Sequence, residues 1–223
     1  TYTFHRCLGR GGFGEVYLAT RHGSEGLEKR VAVKVLRPDL PNAESALKRL
    51  RDEGRMLAAL AHPAIVNMLE LTQLRGRIAL VTEYVEGTDL SRFCTAPHLM
   101  PPGVVLSITS EVAGALHTAW TMPSPETGKP LNLVHRDIKP ENIRLSKHGE
   151  VKLLDFGIAR STELAREART ATGNLPFTPG YTAPEAFVAM KQGAPTDVFA
   201  LGATLYRLLV GDRFYEGVRL TEQ

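Results

Sequence analysis

The run His135-Arg136-Asp137-Ile138-Lys139-Pro140-Glu141-Asn142, followed by Asp155-Phe156-Gly157, gathers groups suited to phosphoryl transfer in one short stretch of chain. Asp137 can hold a hydroxyl, Lys139 can neutralise phosphate charge, and Asn142 and Asp155 offer oxygen ligands. Magnesium keeps several of its waters and takes few protein oxygens beside substrate phosphates, so one amide and one carboxylate are a sensible complement for a nucleotide-bound ion. His135 reads as a packed ring beneath the loop rather than an acid or base. Arg136, next to the carboxylate, has the planar donor fork that grips a phosphate.

A second stretch, Leu8-Gly9-Arg10-Gly11-Gly12-Phe13-Gly14-Glu15-Val16, fits G-x-G-x-x-G-x-V. Alone this is a weak signal, because glycine-rich turns often only reverse the chain. A dinucleotide fingerprint needs a helix after the third glycine; here the glycines open a β-rich segment, which sets that reading aside. Missing Cβ atoms at Gly9, Gly11 and Gly14 let backbone close over phosphates, with Val16 covering a flat base. Lys34 follows Val31-Ala32-Val33 on a half-buried strand, and Glu53 falls inside the apolar helical stripe Ala46, Leu50, Leu57 and Leu60. A carboxylate on a buried face is costly unless a cation meets it. Lys34 is the candidate, and the pair holds a cationic tip beside an anionic ligand.

The elements that position these groups follow from periodicity and turn chemistry. From Phe4 to Leu36 the pattern predicts three antiparallel strands, with Val16–Ala19 and Val31–Val35 separated by the polar stretch Arg21 to Arg30. A helix is expected from about Asn42 to Leu60, capped by Asn42 with Glu44 in its first turn. Two strands follow, Ile65 to Leu74 and Arg77 to Val85, around Arg75-Gly76, and Glu86-Gly87-Thr88 reads as a hinge into a helical part. Gly103 to Trp120 places Val105, Ile108, Val112, Leu116 and Ala119 on one helical face. The loop Thr121 to Pro130 reads as solvated, and short strands around Leu133-Val134 and Val151–Leu154 flank the chemical loop. Thr196 to Val210 is apolar on nearly every side, predicting a helix capped by Thr196, stopped by Gly211 and buried all round.

Composition bounds the alternatives. A chain of 223 residues, 43% hydrophobic, can bury a substantial core as one domain or two close lobes. The net charge of +3 comes from basic residues scattered among acids, without the concentrated patch expected for nucleic-acid binding. Cys7 and Cys94 show no metal-site spacing and read as packed thiols in a reducing compartment. No charged-then-apolar leader and no membrane-length apolar run occurs, so a cytoplasmic segment without membrane contact is expected, whose parent protein is free to carry an anchor elsewhere.

These motifs, with His62-Pro63, Ala183-Pro184-Glu185 and Asp197 in the same order along nearly the whole chain, resemble the eukaryotic-type (Hanks-type) protein serine/threonine kinases. The loop composition is similar to bacterial members. The resemblance implies an α+β, two-lobed fold: an N-lobe over residues 1–86 with a small antiparallel sheet and one helix, and a mainly helical C-lobe over 87–223. It implies that Lys34, held by Glu53, contacts the α and β phosphates of ATP, and that Asn142 and Asp155 hold Mg2+, or Mn2+ in its place. Leu8, Gly9, Gly11, Gly14, Val16, Ala32, and the backbone of Glu83 and Val85 after a small gatekeeper Thr82 line the nucleotide. Asp137 orients the hydroxyl of a protein substrate and takes its proton late, and Lys139 offsets charge on the transferring group. Asp197 fixes the His135–Asp137 loop through backbone hydrogen bonds, Leu57, Phe156 and His135 stack as an apolar spine, and Lys139 with Thr178 marks the serine/threonine branch.

The chain departs from the family pattern in three places. It stops soon after Gly217, before the last family helices, so a cut-short C-lobe is expected rather than a natural miniature; in the family the glutamate matching Glu185 pairs with a later arginine. Phe177 replaces a common glycine, and the loop Thr121 to Pro130 is long. Regulation is expected through Arg136 and phosphate on Thr170 or Thr172, with autophosphorylation, by way of a homodimer, as the route, while Thr178 serves substrate docking. The competing classes are an ATP-binding pseudokinase scaffold, against which Lys34, Asp137 and Asp155 all stand, and a small-molecule phosphotransferase, which usually lacks the Ala183-Pro184-Glu185 element.

Overall fold

The computed structural model describes residues 1–11, 14–36, 54, 58–125, 127–156, 178, 180–187 and 192–214. The helix expected over Asn42 to Leu60 lies almost wholly outside them, as do Glu53, Leu57, Gly157, Thr170, Thr172 and Phe177. The chain divides into two compact units, one of residues 1–61, 66–85 and 158–176, the other of 62–65, 86–157 and 177–223.

The first unit is built on five antiparallel strands in the order β1-β2-β3-β5-β4: β1 (Tyr2–Gly11), β2 (Gly14–His22), β3 (Glu28–Leu36), β4 (Met68–Leu74) and β5 (Arg77–Glu83). Alternation along β3 sends Val31, Val33 and Val35 into a core with Ala19, Ala79 and Val81, leaving Ala32 and Lys34 on the other face. The outer strands β1 and β4 are nevertheless joined, because Tyr2 OH donates to Glu70 Oε2 at 2.6 Å. The sheet is therefore strongly curled, with Tyr2, Tyr17, Leu69 and Leu74 packed against its core. Burial and the Glu70 bond push the Tyr2 phenol up to about 12.

Several expectations are corrected here. The strands reach further than the polar stretch Arg21 to Arg30 suggested, because β2 runs to His22 and β3 starts at Glu28, joined through a short 3-10 turn at Ser24–Gly26. Charged residues are cheap there, since these strand ends are largely exposed. β4 begins at Met68 rather than Ile65, because Ile65 instead forms a parallel bridge with Leu153. Cys7 is exposed on β1, not packed, whereas Cys94 is buried.

In the second unit, α1 (Pro102–Thr121) buries Val105, Ile108, Val112, Ala115 and Ala119. Ala115, rather than the larger Leu116, occupies the fully buried position. A three-stranded antiparallel sheet, β6 (Gly87–Asp89), β7 (Ile143–Ser146) and β8 (Val151–Leu153), is added. Gly87 and Thr88, read as a hinge, thus pair as a strand with Ser146 and Leu145. No strand forms at Leu133-Val134; Leu133 N–H instead caps helix α1 by donating to Ala119 O. The loop Thr121 to Pro130 is exposed but tied by Ser124 N–H to Lys129 O and Leu131 N–H to Met122 O.

The short helix α2 (Pro184–Phe187) precedes α3 (Ala194–Val210), which packs on α1. Gly193 rather than Thr196 is the N-cap of α3; the Thr196 hydroxyl accepts the Gly193 N–H and donates to Glu185 Oε1 at 2.7 Å. Gly211 ends the helix at φ +82. The helix is not buried all round, since Val198 is 65% and Val210 53% exposed. Its Asp197, Ala200, Leu201, Thr204 and Leu208 face inward.

Candidate active site

In the first unit Gly9, Val16, Ala32 and Lys34 of the sequence-predicted nucleotide residues share one sheet face. Gly9 pairs with Val16, Val16 with Lys34 and Lys34 with Leu80, while Leu18, Ala32 and Thr82 form the next row on that face. Gly14 is fixed by the fold: a Cβ there would sit 2.2 Å from Val35 O, a clash between two backbones. Gly9 and Gly11 are different, because among the described residues nothing lies within 4 Å of a Cβ placed at either. Folding alone gives no reason for glycine at those two positions, whereas close approach of a ligand does. Glu83 N–H donates to Asn67 O at 3.0 Å, so an adenine cannot use that donor and the family reading narrows to the Glu83 carbonyl. Leu8 is half-buried on β1 and Val85 buried just after β5.

The second unit builds the catalytic loop around Asp197, whose carboxylate comes from the first turn of α3. Its Oδ2 accepts His135 N–H at 2.6 Å and its Oδ1 accepts Arg136 N–H at 2.8 Å. Burial pushes this carboxyl up, while His135, the two N–H groups and the Arg136 charge pull it back. The two bonds hold Arg136 in the left-handed region at φ +66, a conformation that costs a non-glycine residue about 1 kcal/mol or more. That kink turns the chain so that Asp137 follows directly.

His135 is fully buried and fixes the loop from below. Asp137 N–H donates to its Nδ1 at 3.2 Å, so the ring proton lies on Nε2 and is donated to Leu154 O at 2.7 Å. Burial holds its pKa below the ordinary histidine value. The ring packs at a tilt of 55° on Phe156, with centroids 4.7 Å apart, which joins the two sequence-predicted spine members within this unit.

The Asp137 carboxylate is gripped from several sides. Asn142 Nδ2 donates to Asp137 O at 2.7 Å and Oδ2 at 2.8 Å, Lys139 Nζ stands 3.1 Å from Oδ2, and the Thr178 hydroxyl donates to Oδ1 at 3.4 Å. Lys139 Nζ also donates to Thr178 Oγ1 at 3.1 Å. The structure thus brings Asp137, Lys139, Asn142 and Thr178 together, which places Thr178 beside the Asp137 carboxylate and the Lys139 ammonium. Asn142 spends its amide hydrogens on Asp137, so only its amide oxygen can serve a cation. Asp155, at φ +52, follows Leu154, whose N–H is held by Asn142 O at 2.8 Å. One amide oxygen and one carboxylate fit a hard divalent cation that takes its other ligands from phosphate and water. Among the described residues no cluster of three His, Cys, Asp or Glu side chains offers a complete protein cage. The sequence reading missed the Leu154 carbonyl as the histidine's partner, since backbone acceptors leave no mark in side-chain patterns.

A family model described as the protein kinase domain matches residues 2–223. The chain is 39% identical over 212 residues to the tyrosine-protein kinase MasK of Myxococcus xanthus, covering 93% of this chain and 32% of that protein. It is 36% identical over 216 residues to the serine/threonine-protein kinase pkn2 of the same organism, covering 95% and 24%. The crystal structure of the Mycobacterium tuberculosis PknI kinase domain is similar with a TM-score of 0.71 at 29% identity, covering 100% of this chain and 78% of that one. The chain belongs to the protein kinase domain family, whose members bind ATP, a divalent metal and protein substrates. It spans a third or less of the length of these two curated relatives.

Proposed function

We propose that this chain is an active serine/threonine kinase domain that transfers the γ-phosphoryl group of ATP to protein hydroxyls. The carrying observation is the Asp137 carboxylate, held by Asn142 and Lys139 and touched by Thr178. Asp137 orients the substrate hydroxyl. As its oxygen bonds to the γ-phosphorus, the bond to the β,γ-bridging oxygen breaks, ADP leaves with that electron pair, and the hydroxyl proton passes late to Asp137. Lys139 offsets charge on the transferring group. Asn142 and Asp155 are the residues that hold Mg2+, or Mn2+ in its place, which when bound neutralises phosphate charge. Lys34, with Glu53, contacts the α and β phosphates, and the Gly9–Val16 strands, Leu8, Ala32, Glu83 and Val85 take the rest of the nucleotide.

One relative is called a tyrosine kinase, but the serine/threonine reading is favoured by the Lys139–Thr178 contact of 3.1 Å. It holds Thr178 beside Asp137, where a short hydroxyl side chain reaches the carboxylate. For regulation, Arg136 Nε is buried without a hydrogen-bond partner among the described residues. A phosphate on Thr170 or Thr172, placed by autophosphorylation within a homodimer, satisfies it. Mass spectrometry of ATP-treated protein tests this: activity with no phosphate on either threonine refutes it. The cytoplasm is the proposed location, and among the described residues no helix is long and apolar enough to cross a membrane.

The test of function is transfer of labelled phosphate from magnesium ATP to a generic basic protein, comparing wild type with Asp137→Asn. The variant is expected to lose about 10²–10⁴-fold in rate while keeping nucleotide binding. Undiminished transfer refutes the assignment of Asp137; nucleotide binding with no transfer by wild type points to a scaffold.

A further inference from the structure

Residues 62–65 group with the second unit although the chain on both sides of them, 1–61 and 66–85, belongs to the first. Within this turn His62 Nδ1 accepts the Ala64 N–H at 3.1 Å and His62 O accepts the Ile65 N–H at 3.0 Å. Ala64 O then accepts the Leu153 N–H at 2.7 Å, and Ile65 bridges to Leu153. Ala64 and Ile65 are each 2% exposed, so this half of the turn is buried, with His62 half-buried and Pro63 exposed before it. The ring lies beside Gly114 of helix α1, where a Cβ would be in ordinary contact with His62 Nε2 at 3.7 Å.

Leu153 ends β8, and the two residues after it are Leu154 and Asp155. Leu154 N–H bonds to Asn142 O and its carbonyl to His135 Nε2, so with Leu153 N–H three backbone groups just before Asp155 are pinned. Two of those anchors belong to the catalytic segment itself. The third, on Leu153 N–H, comes from the turn that His62 shapes.

We infer that His62 is a positioning residue for the metal-holding Asp155, acting through Ala64 and Leu153; this rests on the kinase reading of Asp155. Without the Nδ1 acceptor the buried Ala64 N–H loses its partner, the turn opens and the Leu153 anchor slackens. Fewer molecules then hold Asp155 in its metal-competent place. Apparent affinity falls in proportion to that fraction, whereas saturating metal restores the competent state.

The experiment compares wild type, His62→Ala and His62→Asn, since an asparagine oxygen can accept an N–H two residues on. For His62→Ala the Mg2+ concentration giving half-maximal transfer is expected to rise about 5–10-fold, with kcat at saturating Mg2+ within about twofold of wild type. In protein free of metal and nucleotide, amide exchange is expected to quicken in His62→Ala at Ala64 and Ile65 and across residues 151–156, and not elsewhere. His62→Asn restores both. Unchanged Mg2+ dependence, a fall in kcat alone, faster exchange throughout the chain, or an asparagine variant no better than alanine overturns the inference. Wild type that transfers no phosphate overturns the kinase reading beneath it, and the exchange measurement tells that failure from a failure of the His62 turn.

Discussion

Replacing Asp197 is the sharpest test of how the catalytic loop is held. Its carboxylate is 3% exposed and receives two backbone donors, His135 N–H and Arg136 N–H, at 2.6 and 2.8 Å. Asp197→Ala leaves both donors unpaired, and a buried donor without a partner costs about 1–3 kcal/mol. Removing a buried carboxylate whose ionisation is opposed by burial returns part of that cost. The expected net loss is about 2–5 kcal/mol, a large share of the roughly 5–15 kcal/mol that holds a domain together. Asp197→Asn keeps one acceptor but turns an NH2 toward the second donor, so its loss is expected near about 1–3 kcal/mol.

The consequence for catalysis is larger than for folding. Arg136 keeps its strained φ of +66 because Asp197 holds its N–H; released, it relaxes toward an ordinary backbone and carries Asp137 with it. A displacement near 1 Å costs on the order of 10²-fold in rate. Urea unfolding followed by the single tryptophan, Trp120, reads stability in this unit, and phosphate transfer from ATP reads the rate. If Asp197→Ala loses less than about 0.5 kcal/mol and keeps its rate within about twofold, the loop is held by something else and the reasoning fails.

Three further outcomes follow from the geometry. Gly14→Ala drives a Cβ to 2.2 Å from Val35 O, so a loss of more than about 1 kcal/mol is expected in a thermal melt; an unchanged melting temperature would show that β2 and β3 part freely. Tyr2→Phe removes the bond that joins β1 to β4 and is expected to cost about 1 kcal/mol. Because the Tyr2 pKa is raised to about 12 when folded, that contribution is present below the ordinary value near ~10 and is lost as pH rises toward 12, so the stability difference between wild type and variant must shrink at high pH. His135 has a folded pKa lowered by burial, so its contribution is present above about pH 6.5 and lost as pH falls through its folded value. Urea titrations should show wild type losing stability below that pH, by up to about 1.4 kcal/mol per pH unit, and His135→Phe lacking that component.

What could be read in advance was what local chemistry writes into neighbouring residues. The strands around Lys34, the face of α1 and the stop at Gly211 follow from alternation, helical spacing and a left-handed cap, whereas the role of Asp197 came from the family resemblance. The misses share one cause. β6 is three residues long and β7 four, too short for periodicity to register. Ile65 left β4 because a partner 88 positions away in sequence, Leu153, took its backbone instead. The open face of α3, with Val198 and Val210 exposed, could not be told from a buried one, because apolar residues on every side look the same whichever side is covered.

The catalytic loop shows why motif and geometry carry different information. His135, Asp137, Lys139 and Asn142 are near neighbours and were legible as a unit, yet none of them alone fixes where the Asp137 carboxylate points. That direction is set by Asp197 through the two N–H groups before it, by Leu154 through the His135 ring, and by Thr178 through its hydroxyl. These partners lie on three separate segments brought in by folding, and no two of them bond to the same atom of the loop. A substitution at Asp197 or Thr178 is therefore expected to leave the motif intact in sequence while moving the carboxylate, and rate rather than nucleotide binding is where such damage should appear first.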